Sequence, residues 1–199
     1  MLAGAARPAS GTIRIDGRPT RIGSPAQALR AGIGFVPEER KSEGVFLGLG
    51  TGSNISLSIV DRVRRFALID RRRERALVRA EAQQVDLPER YLDMRISDLS
   101  GGNQQKALLA RVLLSGARNL VLFDPTRGVD VGTKQVIYGV IRGFVERGGS
   151  VLMYSTELSE LVQLVHRCLV LYRGRIVGEL SGDRLTEERL VSLATGHGD

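Results

Sequence analysis

The sequence is poor in residues that mark several specialised classes of protein. It has no tryptophan, four tyrosines, five phenylalanines and a single cysteine, Cys168. So few aromatic residues supply poor stacking surfaces for the bases of nucleic acids. Cys168 lies in an apolar run, which favours a buried thiol over a redox or metal site. The two histidines, His166 and His197, have no metal-ligand spacing with it, so no metal site is predicted.

Long apolar runs are also missing. No stretch approaches the roughly 18 residues that cross a bilayer, and the first residues lack the apolar core of a signal peptide. These features predict a cytosolic chain that reaches a membrane through a partner. The net charge of +7 comes almost entirely from arginine. Because the arginines are interleaved with acids, as in residues 70–75, we expect a solvated surface and no nucleic-acid partner.

The remaining pattern predicts an α/β fold. Apolar strands at 33–36, 120–123 and 151–154 alternate with helical stretches, which is typical of a parallel sheet. Residues 11–17 predict an exposed strand and turn, and residues 168–179 predict two strands joined at Arg173 and Gly174. Two helices are predicted with a buried stripe, one capped by Asp70 and one starting near Glu157. The residues expected in the stripes are Leu77, Val78, Ala82 and Val85 in the first, and Leu158, Leu161, Val162 and Val165 in the second.

The most informative stretch is a Ser-Gly-Gly turn, Ser100 to Gly102, that opens a helix over about 104–114. The start of a helix exposes unpaired amide groups with partial positive charge. Two glycines allow close approach to the backbone, and Ser100 adds a hydroxyl, so the combination suits a phosphate. An ordinary capped helix explains the same residues without a ligand.

Residues 99–106, Leu-Ser-Gly-Gly-Asn-Gln-Gln-Lys, resemble the signature motif of ABC transporter ATPases. The Asn-Gln-Gln-Lys ending resembles the ribose, galactose and xylose importer branch, and so does Pro-Thr-Arg-Gly-Val-Asp-Val-Gly at 125–132. The resemblance covers nearly the whole chain. It implies a truncated P-loop NTPase core with an inserted helical subdomain. The implied parts are a remnant of the nucleotide-binding core (1–40), the helical subdomain (41–98), and the signature helix with the C-terminal α/β core (99–199).

The resemblance also implies roles for particular residues. Those expected to contact the phosphates of an ATP held by a second cassette are Ser100, Gly101, Gly102 and Gln104. Asp130 matches the D-loop aspartate that reaches the partner cassette, although it is equally suited to cap the helix that begins near Gly132. Mg²⁺ is expected to be held mainly by the partner.

The segment Pro-Glu-Glu-Arg-Lys, residues 37–41, resembles the Pro-Glu-Asp-Arg segment that sugar-importer ATPases carry at the Q-loop. The glutamine that senses nucleotide in most ABC proteins is not evident here. A charged surface turn is the alternative interpretation of these five residues.

The 199 residues contain no P-loop of the form Gly-x-x-x-x-Gly-Lys-Ser/Thr. Residues 128–135 come nearest, but their Gly-Lys order is broken. The family pattern would place the P-loop just upstream of Met1, which predicts a cassette that begins after its P-loop.

The family's Asp-Glu-Pro-Thr pattern is degenerate as well. Without a gap, Phe123 stands at the Mg²⁺-binding aspartate and Asp124 at the glutamate that orients water. Phe123 cannot ligate Mg²⁺, and Asp124 is one methylene shorter than glutamate. With a one-residue gap, Asp124 becomes the Mg²⁺ partner and the catalytic base is lost. Without the family, Asp124 and Pro125 are simply the end of a strand entering a turn.

The sequence therefore predicts an ATP-binding subunit, or a fragment of one, from a sugar-type ABC importer, peripheral at the cytoplasmic side of the membrane. Its expected partners are a second cassette, a membrane permease and, indirectly, a periplasmic substrate-binding protein. Whether this chain hydrolyses ATP is left open. The alternative is a non-catalytic truncated cassette that only docks its partner or permease. The residues Asn-Gln-Gln-Lys and Thr-Arg-Gly-Val-Asp in the two motifs disfavour a soluble ABC protein that acts on ribosomes or in DNA repair.

Overall fold

A computed structural model describes residues 2–65 and 68–196, so His197 lies outside the described residues. The chain forms two compact units, the first running to Leu152 and the second starting at Met153. Within the described part, no helix has the length and apolar character needed to cross a membrane.

The first unit opens with a small hairpin and a short helix. Strands β1 (Arg14–Ile15) and β2 (Arg18–Pro19) pair antiparallel around the predicted Asp16-Gly17 turn. Helix α1 (Pro25–Arg30) begins after Ser24, whose hydroxyl accepts a hydrogen bond from the amide of Gln27 at 3.3 Å. Strand β3 (Ile33–Val36) follows and is almost entirely buried.

A mainly helical region comes next. Its regular elements are α2 (Thr51–Ser56), α3 (Val60–Val63), the two-stranded hairpin β4 (Arg64–Arg65) and β5 (Leu68–Ile69), and α4 (Arg71–Gln84). Asp70 caps α4 as predicted, because its carboxylate accepts a hydrogen bond from the amide of Arg73 at 3.0 Å. The sequence did not predict the hairpin.

The buried stripe of α4 is close to the predicted one. Val78, Ala82 and Val85 are buried, while Leu77 is only half-buried. The stripe continues instead through Glu74, which lies one helical turn before Val78. Its carboxylate is satisfied by the hydroxyl of Ser56 at 2.6 Å and the guanidinium of Arg71 at 2.9 Å.

Helix α5 (Gly101–Leu114) is the centre of the first unit and packs against α2, α4 and β3. The elements after it are β6 (Asn119–Phe123), α6 (Val131–Glu146) and β7 (Ser150–Tyr154), and the division between the two units falls within β7. Strand β3 pairs parallel with β6, and β7 is the third strand in the order β3-β6-β7. The predicted α/β class is confirmed. The predicted boundaries at 40/41 and 98/99 both lie inside the first unit, so that division stays a prediction.

A buried polar cluster fixes α5 to the loop before α2. The guanidinium of Arg111 donates to the carbonyl oxygens of Asn54 and Gly44, each at 2.6 Å. Burial lowers the pKa of Arg111 to about 10. Asn54 is fully buried, and its amide donates to the carbonyl of Phe46 at 3.0 Å. These bonds hold the loop, the start of α2 and the last turn of α5 in one arrangement.

The second unit contains α7 (Leu158–Leu164), the antiparallel pair β8 (Arg167–Tyr172) and β9 (Arg175–Ser181), and α8 (Glu187–Ala194). Cys168 is buried as predicted, and burial raises the pKa of its thiol. Most of the predicted stripe of α7 is observed, because Leu161 is buried and Leu158 and Val165 pack against the same apolar cluster, but Val162 is not part of it. Val162 is 37% exposed, whereas Glu160 is 1% exposed and accepts a 2.7 Å hydrogen bond from the hydroxyl of Ser155.

Candidate functional site

The first turn of α5 is the candidate site. Ser100 is its N-cap, and the exposed Ser100 hydroxyl accepts a 3.4 Å hydrogen bond from the amide of Asn103. The amide of Gln104 donates to the carbonyl of Ser100 at 3.0 Å. Helical geometry gives the amides of Gly101 and Gly102 no acceptor four residues earlier. The helix dipole adds partial positive charge at the same place, so this turn suits an anion.

Both glycines also permit close packing within the chain. A Cβ at Gly102 would lie 2.6 Å from Oγ1 of Thr133 and 3.3 Å from Oδ2 of Asp130. A Cβ at Gly101 would lie 3.3 Å from the carbonyl oxygen of Gly128. The starts of α5 and α6 therefore touch. The absence of side chains at Gly101 and Gly102 thus serves packing within the chain, as well as the predicted approach of a ligand.

Gln104 is directed into the protein. It is 4% exposed, and its Nε2 donates to the carbonyl oxygens of Ile96 and Leu99, both at 3.1 Å. These bonds hold the turn that leads into Ser100. The side-chain amide is thus engaged within the chain, and its contact with ATP stays a prediction.

Asp130 is the N-cap of α6. Its carboxylate accepts hydrogen bonds from the amide of Thr133 at 2.9 Å and from the hydroxyl of Thr133 at 2.8 Å. These bonds hold the pKa of Asp130 below its usual value. The capping role, which the sequence offered as an alternative, is thus observed, while the contact with a partner cassette stays a prediction.

Arg40 and Gln105, to which the sequence analysis gave no individual role, also belong to this site. Nε of Arg40 donates to Oε1 of Gln104 at 3.4 Å, and Nη1 donates to Oε1 of Gln105 at 3.3 Å. Burial lowers the pKa of Arg40, and the nearby Glu39 partly offsets this effect. Arg40 stands in the segment that resembles the family's Q-loop, but a pairing across 64 residues leaves no local signal.

Asp124 lies at the end of β6 and is buried, with a left-handed backbone at φ +41°. Its carbonyl accepts a 3.0 Å hydrogen bond from the amide of Arg127, which closes a turn. Phe123 is 39% exposed and packs edge-to-face on Phe35, with ring centroids 5.9 Å apart. The aromatic ring of Phe123 offers no oxygen to a cation.

The described residues do not fit a Mg²⁺ site by themselves. Nowhere in residues 2–65 and 68–196 do three or more His, Cys, Asp or Glu side chains form a group that could hold a metal. Hard cations take six or more oxygen ligands, and Asp124 supplies one carboxylate. The two alignments of Asp124 with the family pattern, with and without the one-residue gap, both stay predictions.

A cavity of about 580 Å³ lies away from this site, between α4 and the start of α2. Four arginines and three carboxylates line it, and the ion pairs among them are Arg71–Glu74, Arg75–Asp93 and Arg79–Glu89. None of the predicted site residues borders this cavity. Because three of its four guanidiniums are already paired, it offers little net charge to a ligand.

Known sequences are similar to this chain along most of its length. The profile of the ABC transporter family matches residues 1–127. The ribose import ATP-binding protein RbsA of Yersinia pestis is 40% identical over 196 residues, covering 98% of this chain and 39% of that protein. The xylose import ATP-binding protein XylG of Burkholderia ambifaria is 43% identical over 183 residues, covering 92% and 35%. The chain thus spans about two fifths of the length of these relatives.

Solved structures show the same fold. The ATP-binding cassette MJ0796, in a dimeric structure bound to ADP and Pi, has a TM-score of 0.76 at 19% identity, covering 90% of this chain and 76% of that one. The protein cbiO1 of Clostridium perfringens, part of the ABC transporter complex cbiONQ, has a TM-score of 0.75 at 20% identity, covering 96% and 73%. The family profile covers well over half of the sequence, and relatives at about 40% identity cover nearly all of it. The chain belongs to the ABC transporter family.

Proposed function

We propose that this chain is part of the ATP-binding subunit of a sugar-type ABC importer. In this proposal the first turn of α5 binds the phosphates of an ATP held by a second cassette. The observation that carries it is the exposed Ser100 hydroxyl beside the first amides of α5, in a stretch that matches the family's signature. The sugar class is taken from the relatives, whose names are ribose and xylose import ATP-binding proteins.

In the proposed site, each residue has a defined task. Ser100 and Gly101 offer a hydroxyl and an amide to phosphate oxygens. Gly102 lets the start of α5 lie against Thr133, and Asp130 fixes the first turn of α6 behind it. ATP, when bound, supplies the free energy of hydrolysis of its terminal phosphate.

The partners follow from this assignment. A second cassette would supply the P-loop and most of the ligands of Mg²⁺. A permease would carry the sugar, and a periplasmic substrate-binding protein would deliver it. The subunit would then lie at the cytoplasmic face of the membrane, held there by the permease. Family membership and the names of the relatives support these proposals.

A second candidate function is docking without turnover. Two observations favour it: Asp124 and Phe123 supply a single carboxylate where the family pattern has two acidic residues, and an apolar surface is exposed before α2. Phe46 of this surface is 58% exposed. The other exposed apolar residues in the loop and beside it are Leu47, Leu49 and Met94.

A measurement of nucleotide affinity distinguishes the two proposed functions. The Kd of Mg-ATP is measured for the P-loop cassette of the same importer, alone and mixed with this chain. We expect the mixture to bind about tenfold more tightly, because the signature adds charge-assisted hydrogen bonds to the phosphates. Ser100→Arg should abolish the gain, because the bulky cation fills the turn.

Ser97→Arg is the matched control, since Ser97 is an exposed serine in the turn just before the site. It should leave the gain intact. A gain that survives Ser100→Arg contradicts the proposal. No gain with the unmodified chain, together with retained binding to the permease, would instead establish docking without turnover.

A further inference from the structure

Arg40 reaches the start of α5 from a distant part of the sequence. Its guanidinium donates to the side-chain oxygens of Gln104 and Gln105, at 3.4 and 3.3 Å. Its Nη2 lies 2.9 Å from the point that a Cβ at Gly101 would occupy. The guanidinium of Arg40 therefore borders three residues at the start of α5, namely Gly101, Gln104 and Gln105.

The same segment is fixed to the turn that follows β6. Arg127 forms ion pairs with Glu38 and Glu39, the latter at 3.4 Å. From the other side, Nε2 of Gln105 donates to the carbonyl oxygen of Pro125 at 2.6 Å. Two routes thus link the start of α5 to the turn at 124–127, one through residues 38–40 and one through Gln105, which takes part in both.

We propose that Arg40 is a positioning residue that fixes the first turn of α5, residues 100–104, relative to the turn at 124–127. Its effect on nucleotide binding rests on the proposed function, whereas its effect on the geometry of α5 does not. Arg40 acts through Gln104 and Gln105 and does not contact the nucleotide.

Arg40 suits this positioning role because its guanidinium carries several N–H donors in one plane. Gln104 and Gln105 are each 4% exposed, so water is a poor substitute for the hydrogen bonds that Arg40 donates to them. A planar guanidinium donates in two fixed directions at once, while the single ammonium of lysine does not. When Arg40 is lost, Gln104 is expected to turn away from the carbonyl of Leu99, and the turn that carries Ser100 loosens.

The test compares Arg40→Lys and Arg40→Met with Lys41→Met, which removes the neighbouring exposed cation. Amide hydrogen exchange is measured in the full chain without nucleotide. Both Arg40 variants should exchange at least fivefold faster at the amides of Asn103 and Gln104, which are hydrogen-bonded to Ser100, with no change in α4. Lys41→Met should match the unmodified chain. In the mixture with the P-loop cassette, both Arg40 variants should weaken the binding of Mg-ATP about tenfold.

Each outcome decides the proposal. Unchanged exchange at Asn103 and Gln104 in Arg40→Met overturns it, and so does faster exchange throughout the chain, which would show general destabilisation. Weaker ATP binding without faster exchange also overturns it, because Arg40 would then contact the nucleotide directly. If the unmodified chain gives no gain in ATP affinity, the proposed function fails and the exchange measurement still decides the role of Arg40. Arg40→Lys retains the charge and keeps the test valid if Arg40→Met does not fold.

Discussion

At the scale of single residues, Asp130 shows how a capping carboxylate makes helix stability depend on pH. Hydrogen bonds from the amide and the hydroxyl of Thr133 favour its charged form and lower its pKa. The unfolded chain has the ordinary aspartate pKa of about 3.9. A group whose pKa is lower in the folded state stabilises the fold above the unfolded value. That stabilisation is lost as the pH falls through the folded pKa.

We therefore expect Asp130→Asn to lower the urea midpoint of unfolding at neutral pH, because asparagine retains a capping oxygen but not the charge. The difference from the unmodified chain should shrink as the pH falls below the ordinary aspartate pKa and through the lower pKa of folded Asp130, where the carboxylate becomes neutral. Urea titrations across this range measure both midpoints. Asp183→Asn, which changes an exposed carboxylate in the second unit, is the control. A difference that stays constant with pH would contradict this role of Asp130.

At the scale of elements, the site depends on contact between the starts of α5 and α6. Gly102→Ala tests this contact, since the added Cβ would lie 2.6 Å from Oγ1 of Thr133. Alanine alone would stabilise a helix by about 1 kcal/mol over glycine, while overpacking costs about 1–3 kcal/mol. We expect a net loss of about 1 kcal/mol in the free energy of unfolding, measured by urea titration.

Gly139→Ala in α6 is the matched control. A Cβ there meets nothing within 4 Å, so only the helix propensity changes and the variant should gain stability. Adding Thr133→Ala to Gly102→Ala should recover part of the loss, a coupling that a double-mutant cycle detects. If Gly102→Ala stabilises the chain as much as Gly139→Ala does, the two helix starts do not touch in solution.

The elements also show which parts of the structure can be predicted from sequence. Helix starts at Ser24, Asp70 and Ser100 were predictable, because a capping side chain bonds to an amide three residues away. The buried strands β3 and β6 were predictable from their short apolar runs. Such signals are local, and each is visible within one short window of sequence.

The features that could not be predicted include one contact between distant residues and two local pairings. The hydrogen bonds from Arg40 to Gln104 and Gln105 join positions more than 60 residues apart, and no residue pattern near Arg40 indicates them. Glu160 is buried and accepts a hydrogen bond from the hydroxyl of Ser155, whereas the apolar pattern predicts Val162 at the core. The β4–β5 hairpin interrupts a charged stretch that has helical composition. Only the first case depends on a distant partner, while the other two are specific local pairings that residue composition does not indicate.

At the scale of the whole molecule, each unit has its own apolar cluster. In the second unit this cluster consists of Leu161, Cys168, Val170, Leu180, Leu185 and Leu190. Leu190 is 2% exposed, whereas Leu171, on the other face of β8, is 65% exposed. The two leucines therefore offer a matched pair for testing where the core of this unit lies.

We expect Leu190→Ala to destabilise the second unit by about 2–5 kcal/mol, because it removes buried methyl groups and leaves a cavity. Leu171→Ala should cost no more than about 0.5 kcal/mol, as is usual at exposed positions. Amide hydrogen exchange in β8 and β9 measures both effects within the unit. If Leu171→Ala proves as costly as Leu190→Ala, the outer face of β8 is covered in solution. The core would then extend to both faces of the β8–β9 pair.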